Sequence, residues 1–258
     1  MKEIFPFYPK LLICILFLLP VKGLHSQTSA QFDDIVSEIY NQSFSAVPSK
    51  IEKLKTTSPQ TANYLQIDYL WWNMISENSD ANEAEFLRKL EDLNNSDKGS
   101  SFENFNKLIY FTYQIRYENL KNKSLSKYLT LLKFHFFMDH INLKKPQNPD
   151  AFTISMFGMM TELDTFMKYK FLTDHGFKTK NNLEKCQLSL QKIEGMSNLE
   201  YKSFDVVKTY LLAKIYLEIE NDPRKALAKF TKLGNQFPQN TIFKQSISDC
   251  KNRLDSMH

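Results

Sequence analysis

A histidine and a carboxylate one helical turn apart can share a metal ion, and His135 with Asp139 has that spacing in this 258-residue chain. His140 sits well around the same helix, so a straight helix cannot bring both imidazoles to one ion, and the group reads as a surface His/Asp pair. Met156, Met160 and Met167 follow a stripe with Leu163. An exported methionine cluster could hold cuprous copper, but methionine at helical spacing is the usual filler of a core. Glu103, Glu118 and Glu162 are carboxylates that a helical, cell-wall-cleaving enzyme could use singly, yet no second catalytic group accompanies any of them. No H-E-x-x-H, no G-x-S-x-G, no phosphate-cradling glycine loop and no cysteine with an activating histidine nearby occurs in the sequence. The residues point away from catalysis, and neither a cofactor nor a metal is expected.

Aromatic side chains offer a different chemistry, that of holding a partner. Trp71 and Trp72 are adjacent, so about 100 degrees of helical rotation separates them. Both cannot face the same core: one is expected to pack with Leu65 and Tyr69, the other to face a groove or the next helix. Phe102, Phe105, Tyr110, Phe111, Tyr113 and Tyr117, with Lys107 and Arg116 among them, have the composition of a stacking platform for a nucleic acid strand. Their spacing instead wraps around a helix buried on several sides, with Tyr113 and Tyr117 as the groove-facing pair. Lys121, Lys123 and Lys127 flank a turn and read as a solvated face. The candidate partner-binding residues are therefore Trp71, Trp72, Tyr113 and Tyr117.

The elements that must position these residues follow from the two ends and the composition. Residues 1–27 have the layout of a secretory signal: Lys2 and Lys10, an apolar run from Leu11 to Leu19, then Pro20 and a polar stretch to Ser26-Gln27. The run is too short to span a bilayer, so membrane contact is expected only if the segment is retained as an anchor. Its removal takes away Lys2, Lys10 and Lys22 with Glu3, and the net charge of +4 falls to near balance. No cationic field remains to argue for nucleic acid. Cys186 and Cys250 are expected as free, buried thiols on helices separated by a whole hairpin. Outside the signal the chain has five glycines and no alternating β-branched runs, which predicts an all-α protein over residues 28–258.

Along that domain the apolar periodicity predicts about five hairpins and a final helix. Phe32, Ile35, Ile39 and Tyr40 open the first, and Val47, Ile51 and Leu54 continue it. Helices follow over residues 64–75, 83–93, 102–120, 125–141, 151–172 and 183–193, with breaks at Glu77–Asp80, Asn94–Ser101 and Asp174–Gly176. Lys144 to Pro149 carries two prolines and is the best internal boundary. A polar helix over 242–254 suits the end of a stack, where the last apolar face has no further neighbour.

The most regular unit is Thr209 to Pro238. Leu212, Tyr216 and Ile219 lie on one face, and Asp222 suits an N-cap, with Pro223 at the first helical position. Ala226, Phe230 and Leu233 form the second inward stripe, and Gly234 with Pro238 is expected to stop the helix. Leu212-Ala213, Tyr216, Ala226, Phe230 and Pro238 resemble the tetratricopeptide repeat pattern across about one repeat. That resemblance implies antiparallel hairpins stacked as a right-handed α-solenoid, with a more irregular middle. With the export signal, it implies a scaffold in the cell envelope that binds a protein or peptide on the surface of its first helices. An extracytoplasmic binder of a small ligand or glycan is the alternative.

Overall fold

The computed structural model describes residues 20–96, 99, 102–141, 150–174, 176 and 179–257. Among them are eleven α-helices, one short 3-10 turn at Phe44–Ala46, and no strand. The helices are α1 (Pro20–Tyr40), α2 (Val47–Lys55), α3 (Pro59–Glu77), α4 (Asp80–Asn95), α5 (Glu103–Leu120), α6 (Ser124–Ile141), α7 (Ala151–Asp174), α8 (Lys180–Gly195), α9 (Phe204–Glu218), α10 (Pro223–Gln236) and α11 (Thr241–Asp255). The basic start and apolar run of the expected signal, and the Lys144–Pro149 break, lie outside the described residues. None of the described helices is long and apolar enough to cross a membrane.

Local chemistry sets the helix ends. Ser79, Thr179, Asp222 and Asn240 each accept a backbone amide of the first turn of α4, α8, α10 and α11, one of the donors a helix start leaves free. Asp150 does the same for α7 at Thr153, 2.7 Å away, and its other oxygen takes the hydroxyls of Ser58 and Thr61 at the start of α3. Asn78 and Asn221 adopt the left-handed conformation, which lets the chain reverse without glycine between α3 and α4 and between α9 and α10. Gly234 departs from the expectation. α10 runs past it to Gln236, and a Cβ at Gly234 would stand 3.0 Å from the Ile247 side chain of α11. Its role is close helix approach; the helix ends at Phe237, ahead of Pro238.

Packing follows chain order. Neighbouring helices pair, and the opening helices α1, α3, α5, α7 and α9 also touch one another in sequence. α1 also meets the last third of the described chain. Asn240, fully buried, donates its amide to the Tyr40 carbonyl at 2.8 Å, and Ser203 N donates to Asp33 at 2.8 Å. Phe32 of α1 packs on Tyr64 of α3, Phe152 of α7 and Tyr201 before α9. Tyr40, at the other end of α1, packs on Trp72, Tyr210, Phe237 and Phe243. α1 therefore fills the middle, with Phe32, Ile35, Val36, Ile39 and Tyr40 out of solvent. Cys186 and Cys250 are free and buried.

Candidate functional site

The expected anchors converge inside the protein. Trp71 is 4 % exposed, Trp72 0 %, Tyr113 1 % and Tyr117 5 %, so these rings present no open anchor to a partner. Both indoles are covered because α3 is packed on several sides, by α1, α2, α4, α5 and α7. Trp71 lies against Phe86 and Tyr113, whereas Trp72, about 100 degrees further around the helix, lies against Tyr40, Tyr210 and Phe243. The groove-facing reading of Tyr113 and Tyr117 meets the same packing. Tyr113 donates to Asp68 at 2.5 Å, and Tyr117 donates to Glu83, which also pairs with Lys121. Burial first, and the Glu83 carboxylate second, push the Tyr117 phenol up to about 12.

Around these rings sits a buried polar group that the aromatic pattern alone did not reveal. The Arg116 guanidinium lies 4.5 Å from the Trp71 ring centre, 4.7 Å from that of Tyr113 and 5.2 Å from that of Tyr210. Stacking on three rings suits a weakly hydrated, planar cation. Its Nη2 and the Nε1 atoms of Trp71 and Trp72 are buried without a hydrogen-bond partner, as is Asp68 Oδ2. Trp72 faces that carboxyl closely enough to favour its charged form, but without forming a well-shaped hydrogen bond. Burial outweighs these favourable neighbours and pushes the Asp68 carboxyl up to about 6. Nothing local in the sequence marks Asp68, because the cation it faces comes from α5.

The carboxylates weighed for catalysis each hold a neighbour. Glu103 pairs with Lys107 and accepts Gly99 N, and Glu162 pairs with Lys192. Glu118 is buried and accepts from Gln114, Ser126 and Thr130, tying α5 to α6. Met156 and Met160 are buried and Met167 is partly buried, all in the core. His140 takes the Phe136 carbonyl, while His135 faces both Asp139 and, from α7, Asp164.

One surface was missed. α6 buries Phe134 and Met138 but leaves Leu125 76 %, Leu129 49 % and Phe136 61 % exposed, with Tyr128 and Leu132 between them. Phe171 of α7 extends the patch, its ring 6.2 Å from Tyr128. The available signal is the sequence of α6 itself, apolar around more of its circumference than one buried face requires. Comparison with protein-family models, with curated proteins and with solved structures finds no match to this chain.

Proposed function

We propose that the chain is an exported, tetratricopeptide-like helical scaffold that holds a protein partner in the cell envelope, and that the partner sits on the outer face of α6. The exposed stripe carries this reading. Leu125, Tyr128, Leu129, Leu132 and Phe136 recur at helical spacing over about 16 Å, which fits the apolar face of an amphipathic helix. Lys123 and Lys133 are exposed beside it, so the partner segment is one edged by acidic residues. Support for the repeat fold is the contact order of the helices, in which each opening helix touches the next. The inner side of those helices is filled by α1 and by side chains from α9 and α11, which moves the binding surface from the concave side to the outside.

The test compares the wild type with the Leu129→Lys, Phe136→Lys double variant in an envelope extract, alongside light scattering and flotation with lipid vesicles. Retention of the same protein by the wild type alone supports the reading. Self-association or vesicle binding by the wild type, lost in the variant, replaces the protein partner with a second copy or a membrane. A second reading, a binder of a small ligand, draws on the Arg116 guanidinium and the two indole N–H groups, buried donors that find no hydrogen-bond partner inside the protein. A thermal shift with small carboxylates or sugars that is lost in Arg116→Lys selects it.

A further inference from the structure

We propose that His135, Asp139 and Asp164 form a binding site for a divalent transition-metal ion between α6 and α7. Three observations carry it. The first is geometry: His135 Nδ1 lies 3.1 Å from both carboxylate oxygens of Asp164, His135 Nε2 lies 3.5 Å from Asp139 Oδ2, and one ligand atom from each residue falls within 4.8 Å of the others. Ligand atoms about 2.1 Å from a zinc-sized ion stand roughly 3.0–3.5 Å apart, and the two carboxylates face different ring nitrogens of His135, so one of them must close toward the nitrogen that binds the ion. Asp139 is 58 % exposed and can supply that closure by changing rotamer.

The second is charge. Among the described residues neither Asp139 nor Asp164 makes an ion pair with lysine or arginine, whereas Glu83, Glu162, Glu194 and Asp205 each do. Lys168 lines the same space without reaching ion-pair distance of Asp164. The two carboxylates bring a local negative charge that one divalent cation balances. The third is space. The cluster borders a cavity of about 150 Å³ that also touches Thr161, Thr165 and Tyr169. The Thr161 and Thr165 hydroxyls are turned to the carbonyls of Phe157 and Thr161, so water would complete the coordination.

One imidazole and two carboxylates suit Zn²⁺, Co²⁺ or Mn²⁺ better than a soft ion such as cuprous copper. Such an ion would pin α6 to α7, a pair that meets over only a few residues although both border the exposed stripe. The claim stands without any partner, since binding is measured on the protein alone.

The test is equilibrium dialysis of the chelator-stripped, full-length chain against Zn²⁺, with the visible spectrum of the Co²⁺ form. The expected result is one Zn²⁺ per chain and a Co²⁺ ligand-field band. Both weaken at least about tenfold in His135→Ala and Asp164→Asn and persist in His140→Ala. Asp139→Asn changes an exposed side chain, so it decides the matter if a buried substitution disturbs folding; it too is expected to weaken binding. A wild type that binds no metal, or a binding that survives both His135→Ala and Asp139→Asn, overturns the site.

Discussion

Asp68 shows how one buried residue couples the interior to pH. Its carboxyl keeps its proton to about pH 6 in the folded protein, against 3.8 for a free side chain, because burial disfavours the charge more than Arg116, Tyr113 and Trp72 favour it. Its contribution to folding is therefore largest below about pH 4 and is lost as pH rises through 6. Asp68→Asn keeps an acceptor for the Tyr113 hydroxyl but has no proton to lose. Relative to this variant, the wild type is expected to lose about 2 kcal/mol of unfolding free energy between pH 4 and pH 7. Urea denaturation of both proteins across that range checks it; parallel curves would mean that Asp68 ionises freely. Asn240 is the second telling residue, since its side chain caps α11 and also satisfies the Tyr40 carbonyl. Asn240→Ala removes a cap and leaves a buried carbonyl unpaired, at an expected cost of about 2 kcal/mol in the same assay. An unchanged midpoint would show that another group takes over that carbonyl. Asp222 was legible as a cap from its place before Pro223, because capping is a local event. The Asn240–Tyr40 tie was not, because it joins residues 200 apart in sequence.

At the scale of elements, α1 and α6 carry the account. α1 is an opening helix by its spacing, and that much was readable from Phe32, Ile35, Ile39 and Tyr40. Its central position was not, because it arises from contacts with α7, α9 and α11 far along the chain. Phe32→Ala deletes a fully buried ring at the meeting of α1, α3 and α7, and is expected to cost about 3–5 kcal/mol in chemical denaturation. A cost near zero would mean that α1 does not fill the interior. α6 obeys the opposite logic: Leu129→Lys with Phe136→Lys alters exposed positions and is expected to leave stability within about 0.5 kcal/mol while removing partner binding. A large drop in melting temperature would instead place those side chains in the core. Adjacent Trp71 and Trp72 were read as one core residue and one facing a groove or the next helix, because a helix with a single buried face can hide only one of them. α3 hides both, since its neighbours surround it.

At the scale of the whole molecule, the pairing of neighbouring helices was legible and the meeting of α1 and α3 with α9 and α11 was not. Hairpin order follows from short polar breaks between apolar-periodic segments, which are local features. The second depends on Tyr40, Trp72, Tyr210 and Phe243 meeting across the interior, and no spacing along the chain announces that. With its inner side filled, the molecule has its broadest uncovered apolar stripe, among the described residues, on α6. The central claim is that this stripe holds a protein partner. The most direct measurement places a photo-crosslinking amino acid at Leu129, and in a second protein at the exposed Lys251 of α11, and irradiates each in an envelope extract. The account predicts one reproducible cross-linked protein from position 129 that is absent from position 251 and disappears when Phe136→Lys is added. No product at 129, or the same products from both positions, would contradict it.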